Sequence, residues 1–208
     1  MKKIGNLLIL ALLTIGMGLT SCDEQLDNAV VPGAAAAAKT LAEATAGDIG
    51  KIVGADGKIY ATKADAEAVA TGNAVAMIAY VGSETGVADY THGLALALTD
   101  EAEKMNWSTA TGASGAAAHT PAAPTPMTSS WMLPSRDQWN KMIDAAGGYD
   151  ALRNGFSVIA GASNLQSGDY WSSTEYNSIS ARYYDFGSGD WVIGKKDREC
   201  QVRACLAF

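Results

Sequence analysis

The chain has few of the residues on which thiol and metal chemistry depend, with three cysteines and two histidines in 208 residues. Cys200 and Cys205 fall in one segment. If that segment is extended, roughly 16 Å separates them and they point to opposite faces, which is beyond disulfide reach. We therefore expect two buried thiols. His92 and His119 are too few for a three-histidine metal site.

Candidate nucleophiles have little support either. Ser135, Ser172 and Ser173 lack a surrounding Gly-x-Ser-x-Gly turn, and a histidine base would have to be one of only two residues. We therefore predict a protein that is not an enzyme, with no catalytic residues and no cofactor.

Positive charge is also scarce, with 15 basic residues against 22 acidic ones. Removal of an N-terminal signal containing Lys2 and Lys3 would leave 13 basic residues against 22 acidic ones, a mature charge near -9. Nucleic acid and anionic lipid headgroups are negatively charged, so an acidic domain is repelled by both. Neither is expected as a ligand.

The N-terminus has the pattern of a secretory signal, with two lysines, an apolar run over residues 4–19 and small residues before Cys22. The segment Leu-Thr-Ser-Cys at 19–22 resembles the lipobox of bacterial lipoproteins, which implies lipidation at Cys22 and a membrane anchor. The acidic residues 23–27 resemble the export signals of surface lipoproteins. These features predict a surface-exposed outer-membrane lipoprotein; the alternative is retention at the inner membrane.

Composition divides the chain into a signal peptide (1–21), a lipidated N-terminus with a flexible tether (22–47), and one domain (48–208). The tether is rich in alanine, which buries little surface. Within the domain, residues 108–130 contain three prolines and no apolar side chain larger than Met127, so they are predicted to be a loop insertion.

The domain alternates strand and helix signals. An Asp-Gly hairpin is predicted at 54–57, a helix capped by Thr62 over 63–70, and strands at 74–81 and 94–98. Ser135 and Gln138 form a capping box for a helix ending at 147–148, and a short helix follows at 149–154. A β meander is expected from Asp169 to the C-terminus, with runs at 182–186, 191–193 and 201–208. The predicted fold class is α+β.

A series of motifs in the second half of the chain carries a family resemblance. These are Trp-x-Leu-Pro-Ser (131–135), Tyr-Trp-Ser-Ser-Thr-Glu-Tyr (170–176), Phe-x-x-Gly-x-Trp (186–191) and Val-Arg-Ala-Cys-Leu-Ala-Phe (202–208). Their order resembles the Fibrobacter succinogenes major paralogous domain and its relatives. The resemblance implies a C-type-lectin-like fold, with helices packed on small antiparallel sheets and long loops. Related branches include the variable proteins of diversity-generating retroelements and the formylglycine-generating oxidases.

The lectin-like resemblance raises the question of calcium, which needs six to eight oxygen ligands. The chain has neither the Glu-Pro-Asn nor the Trp-Asn-Asp block of sugar-binding lectins. Asp169, Glu175, Asp185 and Asp190 are more simply explained as turn and solvated residues. We predict no metal site, although bound calcium is left open.

Residues 170–191 hold a crowded set of aromatic and small polar side chains. In a strand, alternate residues face opposite sides, so one set should be core. We assign Trp171, Phe186 and Trp191 to a structural frame, together with Glu175 and Arg203. The remaining side chains have the Tyr, Ser, Asn and Arg composition of recognition surfaces. We predict that the ligand-binding residues are Tyr176, Asn177, Ser178, Ile179, Ser180, Arg182, Tyr184, Asp185, Ser188 and Asp190.

The sequence therefore predicts a surface-anchored module for adhesion or recognition that binds a protein or glycan. An ordinary polar sheet edge is the simpler alternative for this segment. A structural subunit of an envelope or pilus-like assembly is a rival function, and a formylglycine-generating-type oxidase is less favoured. Adenine-directed diversification is compatible with residues 176–190, which lack Gln, Glu, Lys, Met and Trp, but residues 108–126 lack them too.

Overall fold

A computed structural model describes residues 38–208. The predicted signal peptide, the predicted lipidation site Cys22 and most of the predicted tether lie outside the described residues. No helix within residues 38–208 has the length and apolar character needed to cross a bilayer.

The described chain contains two antiparallel sheets and four α-helices, so the α+β prediction is confirmed. The strands are β1 (Ile52–Gly54), β2 (Ile59–Tyr60), β3 (Ala74–Val81), β4 (Gly93–Ala97), β5 (Asp169–Asn177), β6 (Ser180–Asp185), β7 (Asp190–Lys195) and β8 (Cys205–Ala207). The helices are α1 (Lys63–Glu67), α2 (Trp107–Thr111), α3 (Arg136–Ala146) and α4 (Tyr149–Ser157).

The larger sheet has the order β2-β1-β3-β4-β8 and is buried on both faces. In β3, Met77 packs towards α3 and α4, whereas Val75 and Ile78 pack against the irregular segments on the other side. Covering both faces explains why β3 and β4 read as continuous apolar runs rather than alternating ones. The smaller sheet has the order β5-β6-β7.

Local signals in the sequence position the helices as expected. The Thr62 side chain accepts a hydrogen bond from the Asp65 N–H, although α1 ends at Glu67, earlier than predicted. The capping box of Ser135 and Gln138 begins α3, and Gly147, with φ 88°, ends it in the left-handed conformation. The helix α4 extends three residues beyond the predicted end.

The tether boundary at residue 47 is wrong, because the folded domain begins earlier. Leu41 is only 4% exposed and packs in the core, and the Lys39 carbonyl accepts a hydrogen bond from the Ile59 N–H at 2.8 Å. Asp48 is buried and forms ion pairs with Lys39 and Lys51 at 2.8 and 2.7 Å. Residues 38–47 therefore form an edge of the domain.

Two further expectations need correction. Residues 108–130 are not a plain loop: α2 and a 3₁₀ turn over Ala116–Ala118 bury Ala110 and Ala116 in the core. The C-terminal segment does not join the meander, because β8 pairs with β4 in the larger sheet. The 108–130 segment packs closely because its alanine side chains are small. Their low hydrophobicity gave no sign in the sequence that the segment is partly buried.

A buried ion pair ties the C-terminal segment to the rest of the domain. The Arg203 side chain is fully buried; its Nε lies 2.7 Å from the Asp100 carboxylate, and its other nitrogens donate to the carbonyls of Ala97 and Ser163. Asp100 also accepts a hydrogen bond from the Tyr170 hydroxyl at 2.9 Å. Burial raises the pKa of Asp100, and the neighbouring guanidinium opposes that shift. Arg203 therefore has a structural position.

Candidate functional site

The smaller sheet carries the predicted binding residues, and most of it is a rigid frame. On one face, Trp171 and Tyr183 pack into the core beneath α2. On the other face, Tyr184, Phe186 and Trp139 of α3 pack edge to face, with ring centroids 4.8–5.4 Å apart. Such pairs contribute about 0.5–1.5 kcal/mol each beyond the area they bury.

The indole N–H groups around this frame all have acceptors. Trp107 donates to the Ser172 carbonyl, Trp171 to the Met105 carbonyl and Trp191 to the Asn140 side chain, each at 2.8 Å. Because buried polar groups are costly without partners, these bonds fix the orientation of the large rings. The predicted frame residues Trp171 and Phe186 are fully buried, and Trp191 is half-buried.

Beyond the frame, the β5–β6 hairpin extends into solvent. Tyr176 is 52% exposed and Ile179 is 67% exposed. The Arg182 guanidinium lies 5.2 Å above the Tyr176 ring, a cation–π contact that holds both side chains on one face. The Asn177 side chain accepts a hydrogen bond from the Ile179 N–H at 3.0 Å and so orders the turn.

Charged residues brace this hairpin from the side. Lys196 pairs with Glu175 and donates to the Ser178 carbonyl at 3.2 Å, and it lies 4.5 Å from the Trp107 ring centroid. Glu175, predicted as a frame residue, is exposed and holds the hairpin through this ion pair rather than through burial.

The predicted ligand-binding residues separate into two groups at opposite ends of the smaller sheet. The first group, at the β5–β6 turn, is Tyr176, Asn177, Ser178, Ile179, Ser180 and Arg182; we call it the hairpin face. The second group, at the β6–β7 turn, is Asp185, Ser188 and Asp190. Strand β6 puts about 17 Å between Ser180 of the first group and Asp185 of the second. These nine residues, with Tyr184 between the two groups, therefore do not form one surface.

The second group has a local structural role. The Asp185 carboxylate accepts hydrogen bonds from the Gly187 N–H at 2.7 Å and the Ser188 hydroxyl at 2.9 Å. The Gly187 bond is the main reason that the pKa of Asp185 lies below its ordinary value. These contacts are those of a carboxylate that closes a turn.

Tyr184 was predicted to bind ligand, and that prediction is wrong. Its side chain is only 5% exposed, and its hydroxyl donates to the Gly189 carbonyl at 2.9 Å. Strand alternation does place Tyr183 and Tyr184 on opposite faces, but α3 covers the face that was expected to be open. Neither ring is available to a ligand.

Some features near this region were not singled out from the sequence. Ile193 on β7 is 44% exposed, and the Arg136 guanidinium lies 5.7 Å from the Trp191 ring centroid. A cleft of about 380 Å³ opens beside the start of α3, lined by Trp131, Gln138 and Ser173 among others. Trp131, Gln138 and Ser173 each belong to a sequence motif, but nothing in the sequence indicated that they line one cleft.

Groups that could support catalysis lie apart from one another. The His119 Nδ1 lies 2.7 Å from the Glu101 carboxylate, inside the packed 108–130 segment, whereas His92 Nε2 lies 3.0 Å from the Ala44 carbonyl. Cys200 and Cys205 are buried as expected, and burial raises the pKa of Cys200 to about 11. Within residues 38–208, no cluster of three or more His, Cys, Asp or Glu side chains is arranged to hold a metal ion.

The fold of the domain has a counterpart among solved structures. No protein-family model matches the chain, and no curated protein sequence matches it. Among solved structures, the domain is similar to a fimbrial protein from Bacteroides ovatus, with a TM-score of 0.52 and 15% sequence identity over 77% of this chain. The chain spans about half of that protein, covering 48% of its length. At this identity the likeness bears on the α+β fold alone.

Proposed function

We propose that the protein is a surface-anchored recognition module that is not an enzyme and that binds a protein or glycan through its hairpin face. The observation that carries this proposal is the cation–π pair of half-buried Arg182 with exposed Tyr176, beside exposed Ile179. The pair lies on a sheet whose other end is held by α3. Rigid aromatic rings and arginine are the side chains that contribute most at binding interfaces.

The same proposal includes the membrane anchor and the fold family. Lipidation at Cys22 and display on the outer membrane are supported by the signal and lipobox in the sequence. Membership of the Fibrobacter succinogenes paralogous family, with its C-type-lectin-like fold, is supported by the order of the sequence motifs.

The test compares substitutions on the hairpin face with substitutions of exposed apolar residues elsewhere on the domain. The combined change Tyr176→Ala, Ile179→Ala and Arg182→Ala removes the hairpin face. The control, Val69→Ala with Val158→Ala, shortens exposed apolar residues that follow α1 and α4. Binding of labelled protein to host cells and to a glycan array is measured for each protein, with circular dichroism as the check on folding.

We expect the hairpin-face variant to bind roughly 30-fold more weakly or worse, since hot-spot residues contribute about 2 kcal/mol or more. The control variant should bind like the wild type. Equal binding by both variants would refute the hairpin face as the recognition surface. Absence of binding by the wild-type protein would refute the recognition function.

A structural subunit of a pilus-like or envelope assembly is the second candidate. The observation in its favour is the similarity to a fimbrial protein of Bacteroides ovatus. This function predicts that the protein is recovered from the cell surface in a stable assembly that persists in the hairpin-face variant.

A further inference from the structure

Three of the four sheet edges in the described chain are closed by backbone hydrogen bonds. The edge at β2 is covered where the Ile59 N–H donates to the Lys39 carbonyl at 2.8 Å. At β8, Met132 and Cys205 exchange two bonds of 2.9 and 2.8 Å. At β5, the Trp171 N–H donates to the Gln201 carbonyl at 3.1 Å. Covered edges cannot template pairing with another chain.

The outer edge of β7 differs from these three. The Lys196 N–H donates to the Ile179 carbonyl at 3.0 Å, which continues the ladder with β6. In an antiparallel pair, residues that bond to the neighbouring strand alternate with residues that do not. The N–H and C=O groups of Trp191, Ile193 and Lys195 therefore point away from β6. The Lys195 carbonyl accepts a hydrogen bond from the Arg198 N–H at 3.0 Å, and within residues 38–208 no backbone or side-chain partner is found for the other outward groups of these three residues.

The edge is also regular. The pairing of β6 with β7 runs from Ser180 opposite Lys195 to Asp185 opposite Asp190 without a register shift, whereas the β5–β6 pairing contains two shifts. No proline interrupts β7. Bulges and prolines are two of the devices that block edge pairing, and β7 has neither, so its backbone is competent to accept another strand.

We propose that β7 pairs with β7 of a second copy of this chain across a two-fold axis. A two-fold axis makes the strands antiparallel, and the outward groups allow a register centred on Ile193 opposite the partner's Ile193. Trp191 then lies opposite the partner's Lys195, and Lys195 lies opposite the partner's Trp191. The Ile193 pair exchanges two bonds, and each Lys195 N–H donates to the partner's Trp191 carbonyl, so about four bonds form in all, because each Lys195 carbonyl already accepts from Arg198.

The side chains of β7 complement themselves in this register. Trp191, Ile193 and Lys195 share one face, so each Lys195 ammonium approaches an indole ring and the two half-exposed Ile193 side chains meet. Asp190 lies opposite the partner's Lys196, whose ammonium also pairs with Glu175 of its own copy, so opposite charges come together at both ends. A register centred on Gly194 leaves about two hydrogen bonds, and a register centred on Val192 keeps about four but loses this charge pairing.

The inference goes beyond the recognition function, because it concerns the edge of the sheet and a second copy rather than the hairpin face and a foreign ligand. Disulfide cross-linking tests the register. Each variant of the full chain carries one introduced cysteine, and Cys22 is replaced by Ser in all of them. With Ile193→Cys, the two Cα atoms are about 5.5 Å apart and within disulfide reach. With the control Lys195→Cys, the two copies are about 14 Å apart and out of reach.

Under mild oxidation we expect a covalent dimer from Ile193→Cys and none from Lys195→Cys. The native thiols Cys200 and Cys205 are buried and do not compete. Equal cross-linking of the two variants would overturn the register.

Sedimentation equilibrium tests the dimer itself. The wild type should show a concentration-dependent dimer, and Ile193→Lys should weaken it by roughly tenfold or more, because two ammonium groups then face each other. A wild type that stays monomeric at all concentrations, or a dimer that Ile193→Lys leaves unchanged, overturns the proposal. The hairpin-face variant should still dimerise, so failure of the recognition function would not remove the dimer.

Discussion

Substitution of Arg203 by Met is the most direct test of how the C-terminal segment is held in the domain. The guanidinium is fully buried, lies 2.7 Å from the Asp100 carboxylate and donates to the carbonyls of Ala97 and Ser163 at 2.8 and 2.7 Å. It also lies 4.8 Å from the Phe156 ring centroid. Met fills much of the same volume but supplies none of these donors.

The expected cost follows from what the substitution leaves behind. Removing one partner of a buried ion pair costs about 3–5 kcal/mol, because the other charge stays buried without compensation. For a domain of this size that corresponds to a melting temperature lower by about 6–20 °C. The matched control is Arg182→Met, which removes a half-buried guanidinium with a single cation–π contact and should cost about 0.5–1 kcal/mol.

Urea unfolding with linear extrapolation measures both variants. The double variant Arg203→Met with Asp100→Asn adds a mechanistic test, since it leaves no buried charge. Its loss of stability should be smaller than the sum of the two single losses by about 1 kcal/mol or more. The reasoning is refuted if Arg203→Met costs no more than Arg182→Met, or if the double variant is fully additive.

The beginning of the domain gives two further expectations. Asp48→Asn should lower the free energy of unfolding at pH 7 by about 1.5–3 kcal/mol, because hydrogen bonds from Lys39, Lys51 and Thr45 hold the pKa of Asp48 well below its ordinary value of 3.8. The contribution is present above that value and is lost as the pH falls through it toward the folded pKa, so the two unfolding curves should converge in acid. Leu41→Ala should cost about 2–5 kcal/mol in thermal or urea unfolding, whereas a true tether residue would cost almost nothing.

Much of the fold was predictable because its signals are local. Thr62 and Ser135 cap helices through atoms only three residues away. Strand β3 is recognisable in the sequence as a continuous apolar run. The hairpin between β1 and β2 follows from Asp-Gly between two apolar runs. In each case the residues that determine the structure lie within a few positions of one another.

The errors arose where distant segments meet. Alternation along β6 correctly separates Tyr183 from Tyr184, but it does not reveal that α3 covers one face and the core the other. Leu41 was assigned to a tether because its neighbours are alanine and threonine, and its burial depends on core residues that are distant in the sequence. Composition indicates which side chains can bind a ligand, but tertiary contacts decide which remain available.

This distinction limits how the segment 176–190 could vary. Replacing Tyr184 or Phe186 by a small side chain would remove a ring from the packed frame and cost about 3–5 kcal/mol. Replacing Tyr176, Ile179 or Arg182 removes side chains that are exposed or lie on the outer face, where most changes cost less than about 0.5 kcal/mol. The fold can therefore tolerate sequence variation in this segment only on the hairpin face and at the β6–β7 turn. The four buried residues between them, Ala181, Tyr183, Tyr184 and Phe186, would have to stay fixed to keep either region in place.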